Sequence, residues 1–247
     1  MRKLYSATTP CKAGCKYCFS KWSGIYAEQL QFSIEHNRDK AAIDYPCCDG
    51  EFFDQHNIVD VTKSIMKKME KVYVSVSTKC NVTDSQLKAI IDLNNMLRDE
   101  NKGFVKFSVS VTNKVHILEI EPQTASYGDR LDIVRRLVSV GIPSSLTLKP
   151  ILPFIPDEEY YEILEDFSAV VNRVMVGGLY VCPNTPFYEN YIKSKYPTGK
   201  REVTWLEEKP MWDYVKNPAK IDRIKQKAIE LGMSCFDSDA ELVASII

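Results

Sequence analysis

The sequence lacks any apolar run that approaches the ~20 residues a helix needs to cross a bilayer. The N-terminal residues Met-Arg-Lys-Leu-Tyr are followed by no long apolar stretch, so they do not resemble a signal peptide. We therefore expect a cytoplasmic protein with no membrane partner. An excess of either charge is also missing, because the net charge is -1 and the pI is near 6.3. This balance disfavours tight, sequence-independent binding to nucleic acid.

Repeats, low-complexity stretches and linkers are absent from the sequence as well. The chain has 247 residues, of which 45% are hydrophobic, and this is enough for one sizeable core. We therefore predict a single domain that spans residues 1–247.

Strand and helix patterns alternate along most of the chain. Val72 to Ser77 is rich in β-branched residues, as strands are, and Thr83 to Gln86 forms a capping box that begins a helix. Such alternation indicates βαβ units around a parallel sheet, and about six units are present where a closed TIM barrel has eight. The predicted fold class is α/β, an incomplete (βα)6-type TIM barrel. Its core covers about residues 3–182, and residues 183–247 form a C-terminal extension that completes or caps the barrel.

Further segments of the chain also receive predictions. Leu4 to Thr8 is expected to form a first short strand, and Val59 to Met69 a helix. Residues 22–54 show no clear period and are expected to form a long loop with some local helix. Residues 171–181 are apolar enough for one buried strand, and residues 183–216 contain Pro, Tyr and Trp that would suit a lid.

Three of the eight cysteines lie together, in Cys11-Lys-Ala-Gly-Cys15-Lys-Tyr-Cys18, just after the first predicted strand. Thiolates are soft ligands that suit iron–sulfur clusters or zinc. A structural zinc site needs four ligands, and the first histidine, His36, is not nearby. Three cysteines on a four-iron cluster leave one iron open to a small chelating molecule. The alternatives are three unrelated thiols, or a zinc-binding interaction or nucleic-acid module with a fourth ligand from elsewhere.

The CxxxCxxC spacing, with an aromatic residue before the last cysteine, resembles the radical S-adenosylmethionine (SAM) superfamily. The resemblance implies that Cys11, Cys15 and Cys18 hold a [4Fe–4S] cluster whose open iron binds SAM. Reductive cleavage of SAM would then give a 5′-deoxyadenosyl radical that abstracts hydrogen from an unidentified small molecule, nucleotide or peptide. It also implies a reducing partner such as flavodoxin or ferredoxin.

Three further segments, 77–79, 108–131 and 141–153, are similar to the spore photoproduct lyase branch of that superfamily. The resemblance implies that Lys79 meets the methionyl carboxylate of SAM and that Tyr17 lies beside the adenine. The other candidate cofactor-binding residues are Ser110, Thr112 and Lys149.

The lyase resemblance carries further implications for catalysis. Cys47 and Cys48 fall in roughly the region where the lyase carries a hydrogen-donating cysteine, although a buried or incidental thiol pair is the simpler alternative. Glu121 and Arg130 are expected to pair behind the site. The glycine-rich motif that holds the SAM amine is not evident, and Ser-Thr-Lys-Cys stands in its place. The DNA repair activity is not carried over, because the chain is nearly neutral.

Overall fold

The computed structural model describes residues 2–4, 11–22, 41–45, 50–54, 69–204 and 208–247. Its main element is a parallel sheet whose strands are β1 (Arg2–Leu4), β2 (Ala41–Tyr45), β3 (Lys71–Thr78), β4 (Gly103–Ser110), β5 (Ser144–Leu148), β6 (Arg173–Val176) and β10 (Ser234–Phe236). These strands lie in the order β1-β2-β3-β4-β5-β6-β10, and each neighbouring pair is parallel. The α/β class with a parallel sheet is therefore confirmed.

A smaller antiparallel sheet and six α-helices complete the described part of the chain. The small sheet has the order β7-β9-β8, with β7 at Tyr180–Val181, β8 at Thr198–Glu202 and β9 at Met211–Val215. The helices are α1 (Asp84–Asp99), α2 (Ile117–Ile120), α3 (Tyr127–Ser139), α4 (Asp157–Ser168), α5 (Pro218–Glu230) and α6 (Asp239–Ala244). Short 3-10 turns lie at Phe19–Lys21 and Phe52–Asp54, and a π-turn lies at Tyr188–Ile192. None of the described helices is long and apolar enough to cross a membrane.

Local signals place the ends of the helices. The Thr83 hydroxyl accepts a hydrogen bond from the Gln86 amide while the Gln86 side chain accepts one from the Thr83 amide, so the predicted capping box is confirmed. Ser126 caps α3 by accepting from the Asp129 amide. Gly141, with φ at +79°, follows the last turn of α3 in the left-handed conformation that favours glycine.

The two faces of the main sheet differ in polarity. On β4, the side chains that alternate with Lys106 and Ser108 include Val105 and Phe107, and α1 and α3 pack against this strand. The register pairs Ser75 of β3 with Lys106, so Ser75 belongs to the same face. One face is therefore apolar and covered by helices, whereas the other is buried and polar.

The last helix covers this polar face. Contacts join α6 to β3, β6 and β10, although β3 and β6 are three strand spacings apart, about 14 Å in a flat sheet. The sheet therefore curves around α6. Lys106 donates to Asp239 of α6 and to Ser108, and Ser75 also donates to Asp239. We call Ser75, Lys106, Ser108 and Asp239, with Ser145 at 3.0 Å from Ser108, the lower network.

Several sequence predictions need correction. The long loop expected over residues 22–54 contains strand β2, which is only five residues long and lacks a clear pattern of its own. The single strand expected over 171–181 is two strands in different sheets, β6 and β7, separated by residues 177–179, which include Gly177 and Gly178. Residues 183–216 include β8 and β9, which the sequence reasoning missed.

Two other predictions fall partly or almost entirely on residues outside the described part of the chain. The first strand is observed at Arg2–Leu4, and residues 5–10 lie outside the described residues. The helix predicted over residues 59–69 falls almost entirely outside them.

Candidate active site

The cysteine loop is anchored to the segment that follows β4. The Lys16 amide donates to the Ile120 carbonyl at 3.0 Å, and the Gln123 amide donates to the Ala13 carbonyl at 3.1 Å. Gly14 adopts φ +70°, and a Cβ atom there would lie 3.3 Å from the Pro122 side chain. The loop is therefore held close to the edge where the carboxyl ends of β3 and β4 meet, the edge where α/β folds bind ligands.

The three cysteines of the loop are close enough to affect one another. Cys15 is buried, while Cys11 and Cys18 are partly exposed. Burial raises the pKa of Cys11 to about 11, and the charges of Glu51, Cys15 and Cys18 act in the same direction. Burial also raises the pKa of Cys15, against the effect of Lys79.

The donor chemistry of this loop fits an iron–sulfur cluster. Within the described residues, no three His, Cys, Asp or Glu side chains converge tightly enough to bind a single metal ion. A four-iron cluster makes no such demand, because each thiolate binds a different iron atom. Cys11, Cys15 and Cys18 are therefore a suitable soft ligand set for three of the four irons.

A buried carboxylate, Glu121, organises the space behind the loop. The Tyr17 hydroxyl donates to it, and so does the Thr112 hydroxyl at 3.0 Å. Lys79 Nζ lies 3.8 Å from Oε1, and Arg130 Nη1 lies 2.7 Å from Oε2. The ion pair expected between Glu121 and Arg130 is thus present, and both side chains are completely buried. We call Tyr17, Lys79, Thr112, Glu121 and Arg130 the upper network.

The upper network carries unequal charge. Burial disfavours ionisation of Glu121, but the Lys79 and Arg130 charges hold its pKa below the ordinary value. Burial likewise opposes protonation of Lys79, yet Glu121 keeps its pKa above the ordinary value. The single carboxylate of Glu121 is therefore paired with two cations. Lys79 also lies 5.2 Å from the centroid of the Tyr17 ring, which joins it to the cysteine loop.

Glu51 is a buried carboxylate that the sequence reasoning missed. It accepts hydrogen bonds from the Thr78 hydroxyl at 2.5 Å and from the amides of Lys79 and Phe53 at 3.2 and 3.4 Å. Burial raises its pKa, and these hydrogen bonds act against the shift. Its charge also raises the pKa of Cys11, so it lies beside the cysteine loop. In the sequence, Glu51 ends the tripeptide Asp-Gly-Glu a few residues after β2, a position typical of site residues in parallel sheets. Because β2 was not predicted, this position was not recognised.

The remaining candidates separate into different environments. Thr112 faces Glu121 rather than open space, and the Ser110 hydroxyl donates to the Lys149 carbonyl at 3.3 Å. Lys149 follows β5, where burial and the charge of Arg201 lower its pKa. The candidate hydrogen donors, Cys47 and Cys48, lie outside the described residues.

A cavity of about 460 Å³ lies between the cysteine loop and the chain after β7. Tyr17, Cys18 and Trp22 line one side, and Phe187 and Tyr191 line the other. The Tyr17 and Phe187 rings meet edge to face at 6.2 Å, and the Phe187 and Tyr191 rings stack at 5.2 Å. The cavity is therefore bordered by aromatic rings directly beside the cysteine loop.

No protein-family model matches the sequence, and no curated protein matches it. Solved structures do match the fold. A spore photoproduct lyase variant with bound AdoMet and dinucleoside spore photoproduct aligns with a TM-score of 0.67 at 13% identity, over 95% of this chain and 75% of the lyase.

Two further structures extend the likeness. Methylornithine synthase (PylB) aligns with a TM-score of 0.56 at 12% identity, over 95% of this chain and 63% of PylB. Streptococcus suis SuiB bound to S-adenosylmethionine aligns with a TM-score of 0.57 at 12% identity, over 100% of this chain and 52% of SuiB. All three are radical SAM enzymes, and the chain has the fold that they share.

Proposed function

We propose that this protein is a radical SAM enzyme built as one domain, 1–247, on an incomplete (βα)6-type barrel. The observation that carries the proposal is the docking of the three-cysteine loop on the buried upper network. In this proposal, Cys11, Cys15 and Cys18 hold a [4Fe–4S] cluster. When bound, the cluster supplies the electron that cleaves SAM into methionine and a 5′-deoxyadenosyl radical, which abstracts hydrogen from the substrate.

Lys79 binds the methionyl carboxylate of SAM in this proposal. Glu121 is shared between Lys79 and Arg130, and the Lys79–Glu121 contact is a long one at 3.8 Å. A lysine ammonium has three donors, so Lys79 retains the capacity to bind a second anion. The net positive charge of the upper network supports an anion at this place.

Glu51 is the group best suited to the SAM amine. It is 3% exposed and accepts hydrogen bonds from the Thr78 hydroxyl and from the amides of Lys79 and Phe53, which are neutral donors. A buried carboxylate is strongly stabilised by a cationic partner, and the ammonium group of SAM supplies one. Its position beside Cys11 and the Lys79 amide supports one site for both ends of the methionyl group in this proposal.

The aromatic cavity accommodates the adenosyl part of SAM. Its lining by Tyr17, Phe187 and Tyr191 offers ring faces and edges on which adenine stacks. The same rings exclude water, which protects a radical from side reactions. Ser110, which lies on the buried polar face, is a further SAM contact in this proposal.

Lyase-like chemistry with return of hydrogen from Cys47 or Cys48 is the first variant of the proposed reaction. The substrate is an unidentified small molecule, nucleotide or peptide, and nucleic acid is not favoured. A cytoplasmic reductant such as flavodoxin or ferredoxin supplies the electron. The likeness to spore photoproduct lyase supports this variant at the level of the fold.

The general proposal is tested by anaerobic cluster reconstitution followed by reduction with SAM. A brown protein that forms 5′-deoxyadenosine, with the product lost in Cys15→Ala, is the expected result. Cys235→Ala is a matched control, because that thiol lies on β10 away from the loop. A colourless, zinc-loaded protein that leaves SAM intact would instead support the zinc-module alternative.

The amine assignment has a separate test in SAM binding. Glu51→Gln should weaken SAM affinity by roughly tenfold or more, because it removes a charged partner of the ammonium group. The exposed Glu100→Gln serves as the control, since Glu100 pairs with Lys102 at the surface. Equal SAM dissociation constants in both variants would remove Glu51 from the site.

A further inference from the structure

Glu51 lies in no strand or helix, so other parts of the chain must hold its carboxylate in place. It immediately precedes the 3-10 turn at Phe52–Asp54. This turn is docked on the core, because Phe52 is buried and the Phe53 carbonyl accepts a hydrogen bond from the Gln86 side chain at 3.4 Å. The docked turn limits movement of the Glu51 backbone, but the side chain still has three rotatable bonds of its own.

The carboxyl end of β3 holds both oxygen atoms of the Glu51 carboxylate. Oε1 accepts a hydrogen bond from the Thr78 hydroxyl at 2.5 Å, whereas Oε2 accepts one from the Lys79 amide at 3.2 Å. Both Thr78 and Glu51 are buried, so water has little access to replace the hydroxyl as a donor. Thr78 therefore makes the shorter of the two contacts that fix the orientation of this carboxylate.

A second hydrogen bond fixes the direction of the Thr78 hydroxyl. The Cys80 amide donates to Thr78 Oγ1 at 3.0 Å, in the local turn that a threonine side chain forms with the backbone two residues later. Because the oxygen accepts from this amide, its own proton is free to point at Glu51. Thr78 is also the last residue of β3, which pairs with β2 on one side and β4 on the other. The donor is therefore held by a strand inside the sheet.

The residue after Thr78 connects Glu51 to the upper network. Lys79 binds Oε2 of Glu51 through its amide and places its ammonium group 3.8 Å from Glu121. In the proposed function, Lys79 binds the carboxylate of SAM and Glu51 binds the amine. Two consecutive residues would then set both ends of the methionyl group, Lys79 directly and Thr78 through Glu51.

We propose that Thr78 is a positioning residue of the SAM site, which acts through Glu51 rather than by binding SAM itself. Its hydroxyl holds the Glu51 carboxylate in the orientation that receives the SAM amine. A carboxylate that is already held loses less side-chain freedom when the ligand binds, so this contact raises SAM affinity. The inference rests on the proposed function, because it takes Glu51 as the partner of the amine.

A double-mutant cycle on SAM affinity tests this role. Equilibrium dialysis with SAM compares the reconstituted wild type, Thr78→Val, Glu51→Ala and the double variant. Thr78→Val keeps the shape of the side chain but removes the hydroxyl, and it should weaken SAM binding roughly threefold to tenfold. In the Glu51→Ala background the same change should alter affinity by less than about twofold, because the group through which Thr78 acts is gone.

A rescue variant and a matched control accompany the cycle. Thr78→Ser restores the hydroxyl and should bind SAM within about twofold of the wild type. Ser75→Ala also removes a buried hydroxyl of β3 that donates to a carboxylate, that of Asp239 in the lower network, and it should leave SAM affinity unchanged. Circular dichroism checks that each variant is folded. If Thr78→Val does not fold, Thr78→Ala, which leaves room for a water molecule, takes its place in the cycle.

The outcomes separate this inference from the proposed function. Unchanged SAM affinity in Thr78→Val, with weaker binding in Glu51→Ala, would overturn the role of Thr78 and leave the amine assignment standing. Equal losses from Thr78→Val in the wild-type and Glu51→Ala backgrounds would also overturn it, because Thr78 would then act independently of Glu51. Glu51→Ala that binds SAM as tightly as the wild type would contradict the amine assignment itself, and with it the route through which Thr78 acts.

Discussion

The upper and lower networks both combine hydroxyl groups, a carboxylate and basic side chains. They differ in net charge and in the parts of the fold that they connect. In the lower network, Lys106 pairs with Asp239, one cation with one carboxylate, and ties α6 to β3 and β4. In the upper network, Glu121 is shared by Lys79 and Arg130 and contacts the cysteine loop through Tyr17. The balanced network closes the fold, whereas the one with surplus positive charge is suited to bind an anion.

Arg130→Met should produce the largest loss of stability. Among the described residues it leaves the completely buried Glu121 with the longer Lys79 contact as its remaining ion pair, and breaking a buried pair typically costs about 3–5 kcal/mol. Urea denaturation measures the change. Arg136→Met is the matched control, because its partner Asp84 is exposed and such pairs contribute roughly 0–1 kcal/mol. Equal stability of the two variants would contradict the assignment of Arg130 as a buried structural cation.

Lys106→Met should have the next largest effect on stability. Lys106 is 1% exposed but Asp239 is 18% exposed, so water stabilises the abandoned carboxylate and a loss of about 2–3 kcal/mol is expected. The double variant Lys106→Met/Asp239→Leu should recover most of that loss, because it leaves no unpaired charge. A double variant less stable than Lys106→Met would show that the lower network contributes more than charge balance.

Lys79→Met should affect SAM binding more than folding. We expect roughly 10- to 100-fold weaker SAM affinity, since a charged hydrogen bond to the carboxylate is lost. Arg130 still neutralises Glu121, so the unfolding free energy should fall by only about 1 kcal/mol. Equilibrium dialysis with SAM and urea denaturation give the two quantities. Unchanged SAM affinity would leave the surplus charge of the upper network without its proposed role.

The pH dependence of stability should give the smallest of these effects, and it tests the charge of Glu121 alone. The pKa of Glu121 is lowered in the folded protein, so its contribution to stability is complete above the unfolded value, about 4.3. That contribution disappears as the pH falls through the lower folded value. Glu121→Gln should therefore lose less stability than the wild type between about pH 5 and pH 3. Parallel pH profiles for the two proteins would contradict the lowered pKa.

The sequence predicted those parts of the fold that depend on local signals. The capping box at Thr83 is one example, because its two residues are three positions apart in the sequence. The cysteine motif is likewise local. By contrast, β2 and β8 are short, and β8 is polar and largely exposed, so neither carries a clear hydrophobic period.

The networks were harder to predict because their members are far apart in the chain. Tyr17 and Glu121 are separated by 104 residues, and Ser75 and Asp239 by 164. Such side chains meet only when the strand register, the cysteine loop and helix α6 are all in place, and no local pattern in the sequence specifies that arrangement. Glu51 was missed for a related reason, because its role depends on recognising β2 as the second strand.

The most direct test of this account compares 5′-deoxyadenosine formation by Lys79→Met and Lys106→Met. Both reconstituted variants are assayed without substrate, at a temperature where both are folded and carry equal iron, and at SAM concentrations below the wild-type dissociation constant. The account predicts that Lys79→Met forms product roughly tenfold or more slowly than the wild type, while Lys106→Met matches it. Equal losses in both variants, or no loss in Lys79→Met, would contradict the division between a SAM-binding upper network and a structural lower one.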